Sequence, residues 1–226
     1  MKITLAAAAC LAVFLGLAAP ANSATTIVAD PTCCLFQPGP LIQGLGETAQ
    51  FRNAAEVTPH DVTSTEAGPD GNPLFFSEPI VGGEVTPVAG TEYLAAGSYP
   101  FFCNLHGTSM SGELVIDGSS GKAKPRPSLR AKLENQKLKT IRKRGSLKVK
   151  VTAVTAVTGA TVTASKGKTK LGSKEKISLG AGKSATYSLR LTNAGRKAIR
   201  NGKSVSITIR ALAPFGKPAS AIRKVK

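Results

Sequence analysis

The sequence predicts an all-β protein made of two successive β-sandwiches. Three observations carry this expectation. Gly (23) and Pro (14) are abundant and Trp is absent, a balance that suits turns and short strands over long helices. Short runs alternate apolar and polar residues, with no convincing 3.6-residue period. The charge also reverses along the chain. Residues 25–121 hold one basic residue, Arg52, against eleven acids, whereas residues 122–226 hold twenty-eight Lys or Arg against Glu134 and Glu175. The formal net charge of +17 therefore describes neither half. A length of 226 residues accommodates two small domains.

Met1-Lys2, the uncharged apolar run Ile3–Ala19 and the small residues up to Ala24 read as a secretory signal peptide over 1–24, cut within 21–24. No later stretch approaches membrane-spanning length, which excludes a polytopic membrane protein. Export leaves Cys33, Cys34 and Cys103. A disulfide-stapled secreted domain has an even, spaced set, and these are an adjacent pair and a singleton. Cys33 and Cys34 are open to free thiols, a vicinal disulfide or an intermolecular link. Cys103 has no evident partner, so something other than a disulfide is expected to hold its sulfur.

In residues 25–117 the β-like runs are Thr26–Ala29, Pro40–Phe51, Asp61–Ser64, Glu92–Tyr93, Tyr99–Cys103 and Glu113–Asp117, which suggest an antiparallel sandwich of about seven strands. Residues 118–128 are rich in Gly, Ser and Pro and contain the charge reversal, so they are read as a linker between separately folding halves. In residues 129–226 the runs are Leu147–Val154, Ala160–Ser165, Lys174–Leu179, Ala185–Thr192 and Ser204–Ala211, with cations at outward positions and one or two helical turns within Asn193–Asn201. This half lacks Cys, His and Trp. It resembles the basic immunoglobulin-like modules of exported actinobacterial proteins, a likeness of composition that assigns no site.

The chain has two histidines, His60 and His106, and the second lies in Cys103-Asn-Leu-His106-Gly-Thr-Ser-Met110. Cys-x2-His-x3-Met between two short β runs places three soft or borderline donors on one hairpin loop. Two imidazoles, a thiolate and a weak thioether form the donor set that favours copper in a near-trigonal plane. Zinc prefers four strong ligands, and Met is a poor fourth. A cysteine protease would need the Cys–His pair without a soft axial group.

These motifs resemble the plastocyanin-like cupredoxins over residues 25–117. Gly97-x-Tyr99-x-Phe101-x-Cys103 matches the approach to the copper cysteine, and Met110-x-Gly112-x-Leu114-x-Ile116 the closing strand. Pro40–Asn53 matches the second long strand, and Asn53 through His60 to Ser64 the segment bringing the first histidine. The resemblance implies a Greek-key β-sandwich binding one type 1 copper, with His60, Cys103 and His106 as strong ligands and Met110 as the axial one. Three departures bear on potential and partner. Asp61 stands where the family often has Asn, Leu105 replaces the usual Pro, and the Cys-to-Met loop is of intermediate length.

The resulting expectation is an exported, non-enzymatic carrier of single electrons. Its acidic domain would dock on a redox protein such as a cytochrome, and its basic domain on anionic envelope polymer or lipid. Tyr187 and Phe215 are the only aromatics past the linker, too few for a nucleic-acid stacking surface. An envelope copper carrier would favour extra exposed Met and His, which are absent, and a structural surface protein would leave the site redox-inert. Two histidines are too few for the trinuclear centre of an oxidase. Tyr99 and Phe101 are expected in the core, and Phe102 on the opposite face.

Overall fold

Every second residue of most β runs turns inward, and the inward sets collect into two separate hydrophobic cores. The computed structural model describes residues 25–32, 34–55 and 57–226; the expected signal peptide and Cys33 lie outside them. Among the described residues no helix is long and apolar enough to cross a membrane.

The first half contains β1 (Thr26–Ala29), β2 (Leu41–Leu45), β3 (Gln50–Asn53), β4 (Thr63–Ser64), β5 (Val85–Pro87), β6 (Gly97–Cys103) and β7 (Gly107–Gly121). One sheet has the order β1-β3-β5 and the other β2-β7-β6-β4. Between them lie Ile27, Phe51, Phe75, Phe101, Leu94 and Leu114, all essentially buried. Phe101 is the hub: Phe36 meets its ring edge-on at 5.0 Å and Phe75 at 6.5 Å. Loss of such a ring costs about 3–5 kcal/mol. Tyr99 is only half-buried, with its hydroxyl donating to the Ala95 carbonyl at 3.1 Å. Phe102 is half-buried on the other face, along a groove formed with Gln37, Pro38 and Thr108.

Three expectations change. The sandwich is mixed, because β1 pairs with β3 and β2 with β7 in parallel. The chain leaves β1 for the other sheet and returns, so β3 lies beside β1 in the same direction. The expected strand Pro40–Phe51 is split between the sheets at Gly46, whose φ of 78° is the left-handed turn that Gly adopts without a Cβ penalty. Glu92–Tyr93 lies in a 3-10 turn over Thr91–Tyr93 instead of a strand.

The second half contains β8 (Leu129–Leu133), α1 (Leu138–Arg144), β9 (Ser146–Ala153), β10 (Val157–Lys166), β11 (Thr169–Leu179), β12 (Ser184–Arg190), α2 (Asn193–Ile199), β13 (Val205–Leu212) and β14 (Ala219–Val225). Its sheets have the orders β11-β10-β13-β14 and β12-β9-β8. Leu147, Val149, Val151 and Ala153 of β9 face Ile207, Ile209 and Ala211 of β13 in one core, as the period-two pattern requires. Thr192 caps α2 by accepting the Gly195 N–H at 2.8 Å.

Residues 118–121, expected in the linker, continue β7, and Gly121 pairs with Leu45. Lys124 N–H donates to the Glu92 carbonyl at 2.9 Å, and Ser128 N–H to Thr155 Oγ1 at 2.9 Å. The stretch is therefore hydrogen-bonded to both halves.

Candidate metal centre

Each expected ligand is delivered by a different structural device. Cys103 ends β6 on the inward face that Phe101 also occupies, and both are buried. Residues 104–106 form a turn closed by His106 N–H donating to the Cys103 carbonyl at 3.1 Å. Met110 is fully buried at an inward position of β7, two residues before Gly112, which pairs with Phe101. His60 comes from a loop and is fixed by a two-bond bridge with Ile80: its N–H donates at 3.1 Å and its carbonyl accepts at 3.0 Å.

The strong donors converge. His106 Nδ1 is 3.3 Å from Cys103 Sγ and His60 Nδ1 is 3.7 Å from it, and the three ligand atoms lie within 4.8 Å of one another. A metal about 2.0 Å from nitrogen and 2.3 Å from sulfur separates those atoms by about 3.5–3.7 Å at tetrahedral to trigonal angles. The spacing thus matches donors around a common ion. His60 Nδ1 faces the sulfur, while among the described residues its Nε2 is buried with no partner. His60 and Cys103 are fully buried, whereas His106 is partly exposed. Leu105, beside it, is 52% exposed and gives the loop an apolar tip.

Electrostatics favour neutral protein groups until a cation arrives. Burial pushes the His60 imidazolium below its ordinary value and the nearby His106 adds to this, while Asp61 opposes both. Burial pushes the Cys103 thiol up, against the backbone N–H groups of Asp61, Leu105 and His106 that are directed at the sulfur. A metal cation reverses the balance by displacing the thiol proton, and the amides are already in place for the thiolate.

Two residues orient the site. Asp61, which the sequence marks only as a departure, accepts the Asn104 N–H through Oδ1. Asn53 closes the second-strand motif, which gives it no role of its own. It is fully buried, donates through Nδ2 to the carbonyls of Thr58 (2.7 Å) and Ile80 (2.8 Å), and accepts the Ala55 N–H at 3.0 Å. A polar residue at an inward strand position immediately before the histidine loop is the sequence signal for this staple. Cys34 is disulfide-bonded and takes no part in the centre.

Two converging imidazole nitrogens and a buried cysteine sulfur, held by a β6–β7 turn and a bridged loop above a Met-containing core, decide the likeness. The first half of the chain resembles the cupredoxins. No protein-family model matches the sequence, and no curated protein matches it significantly. Solved cupredoxin structures align with the N-terminal part. Auracyanin A, a blue copper protein of Chloroflexus aurantiacus, is 20% identical over 42% of this chain and 98% of its own, with a TM-score of 0.35. A purple cupredoxin from Nitrosopumilus maritimus is 21% identical over 41% and 99%, with a TM-score of 0.33. A reduced amicyanin variant is 21% identical over 43% and 85%, with a TM-score of 0.35. In this cupredoxin-like half, His60, Cys103, His106 and Met110 form a donor set suited to one metal ion.

Proposed function

We propose that this protein is an exported, mononuclear blue-copper electron carrier. The observation that carries the reading is the convergence of His60 Nδ1, His106 Nδ1 and Cys103 Sγ in a largely buried pocket whose spacing fits a single ion. Met110, fully buried, would supply a weak thioether donor. Bound copper would supply a one-electron Cu(I)/Cu(II) couple. The protein's contribution is to hold the ligands still. His60 is bridged to Ile80, Asn53 secures the loop before it, and Asp61 ties that loop to Asn104, so little rearrangement accompanies a change of charge. Partly exposed His106, with Leu105 beside it, is the natural contact for a redox partner. The acids of this half favour a partner with a basic face. The segment 1–24 supports export.

The test is an absorption spectrum of the Cu(II)-loaded protein. An intense visible thiolate-to-copper band is expected, absent in Cys103→Ser and retained in Met110→Leu with a shifted potential. Colourless copper binding, or a preference for zinc over copper, rejects the reading.

A further inference from the structure

The cations of the second half include a group that is positioned, not merely displayed. Arg142 of α1 and Arg196 and Arg200 at the end of α2 line a cavity of about 210 Å³ whose apolar floor is Leu191 and Ile199. Arg142 is anchored: Nε donates to the Ile199 carbonyl at 2.7 Å and Nη2 to the Gly202 carbonyl. Arg196 packs the Nη edge of its guanidinium against Gly145, where any Cβ would be 2.7 Å from both Nη1 and Nη2. Gly145 ends α1 with φ 65°, so the same residue closes the helix and seats the guanidinium. Arg196 and Arg200 are four apart, a spacing at which like charges repel on a helix surface. Among the described residues none of the three is paired with a carboxylate. The only acids past the charge reversal are Glu134 and Glu175, and neither lines the cavity.

Three arginine side chains line one small cavity with no carboxylate among them, and their charges, in part fixed in place, are unfavourable without a counter-charge. From this arrangement we infer that the cavity binds the phosphate group of a phosphate ester. The chemistry fits at three points. Guanidinium groups pair with phosphate oxygens through two parallel N–H bonds, which a lysine ammonium cannot do. A tetrahedral anion presents oxygens in several directions to donors arriving from two helices, whereas a carboxylate presents two in one plane. The floor of Leu191 and Ile199 accepts the carbon-bearing side of an ester. Arg142 is partly committed to carbonyls and acts as the fixed wall, and exposed Arg196 and Arg200 supply the free donors. The site lies in the second half and is independent of the copper reading.

The test titrates the full-length protein with inorganic phosphate and with glycerol phosphate by calorimetry, at an ionic strength where the Debye length is about 8 Å. Saturable one-to-one binding is expected. It should weaken at least tenfold in Arg196→Gln/Arg200→Gln and less than twofold in Lys183→Gln/Lys217→Gln. The second variant removes the same charge from exposed turns at the opposite end of the sandwich. Circular dichroism melts check that both variants fold. Equal weakening in the two variants, or no saturable binding by the wild type, overturns the site in favour of diffuse electrostatics. Vesicles of phosphatidylglycerol in phosphatidylcholine separate the sources. Vesicle binding that depends on Arg196 and Arg200 supports the site with a lipid headgroup as its ligand. Ester binding without vesicle binding supports it with a soluble or polymer-borne phosphate.

Discussion

Asp61 accepts the backbone N–H of Asn104 through Oδ1, so the residue after one candidate ligand holds the residue after another. Asp61 is only 5% exposed, and its own N–H is directed at the Cys103 sulfur. One side chain therefore sets the gap between the two ligand loops and also places a negative charge beside the metal position. Asp61→Asn keeps an oxygen acceptor but removes the charge. It is expected to raise the copper potential, because Cu(II) loses more stabilisation than Cu(I). A charge at this depth is worth roughly 1–2 kcal/mol, or roughly 40–90 mV for one electron. Asp61→Ala also orphans the Asn104 N–H and should cost about 1–3 kcal/mol of stability. Voltammetry and chemical denaturation read the two effects separately. A potential unchanged in Asp61→Asn would show that the charge does not reach the metal.

Asn53 acts one step further from the ligands. Asn53→Ala removes two donated bonds and one accepted bond from the loop that ends at His60. At about 1 kcal/mol net per bond, with added penalties for buried carbonyls left unmet, a loss of about 2–4 kcal/mol is expected in the apoprotein. Copper affinity should fall by about ten- to a hundredfold, the usual effect of disturbing groups that orient a ligand. Competition against a copper chelator measures the affinity. Unchanged affinity in a folded variant would reduce Asn53 to a fold residue.

The strands of the second half were legible because Leu147, Val149 and Val151 alternate with Lys148, Lys150 and Thr152, and β9 is that pattern made structural. Three of the metal donors were legible because Cys103, His106 and Met110 lie within eight residues across the β6–β7 connection, which local spacing describes, whereas His60 lies 43 residues before Cys103. What local spacing cannot describe is the direction taken after a turn. Gly46 sends the chain to the other sheet, which splits an apparent strand and makes β1 and β3 parallel. Helix α1 was missed because Leu138 and Ile141 are its only buried residues among cations, too short a stripe to show a period. Asn53 and Asp61 were present in the motifs, but their partners at Ile80 and Asn104 are 27 and 43 residues away.

The apoprotein should carry a pH signature from His60. Burial, reinforced by His106, lowers its folded-state affinity for protons below that of the unfolded chain, whose value is near 6.5. Below that pH the unfolded state binds the additional proton, so stability falls as pH is lowered through about 6.5 toward the folded value. The apoprotein Tm is expected to drop between pH 7 and 5, and His60→Gln should flatten that drop. Copper, by holding Nδ1, should steepen it, because the loaded folded state excludes the proton that the unfolded chain takes up. Scanning calorimetry across this range checks the sign. A Tm that rises on acidification would contradict it.

Phe215 is one residue through which the two halves touch. It sits between β13 and β14 with a φ of 61°, and its ring lies 5.6 Å from that of Phe76 and 5.9 Å from that of Tyr93. Its N–H donates to Asp70 Oδ2 at 2.8 Å. Opposite the ring is Gly90, with φ 101°, where a Cβ would come within 2.7 Å of Phe215 Cε1. A side chain there is excluded both by the backbone conformation and by the ring. The sequence offered Phe215 only as an isolated aromatic in a basic half, yet the residue is only 9% exposed, with Phe76 and Tyr93 of the acidic half against its ring. Phe215→Ala is expected to weaken the contact by up to about 3–5 kcal/mol, the range for a lost buried Phe. The wild-type protein should then melt in one transition and Phe215→Ala in two, with the copper band intact in both. Gly90→Ala should also separate the transitions and in addition lower the melting of the first half, because its Cβ would meet the Leu74 carbonyl at 2.5 Å as well as the ring. If the wild type already melts in two transitions that neither substitution moves, the ring packs against the first half without coupling it to the second.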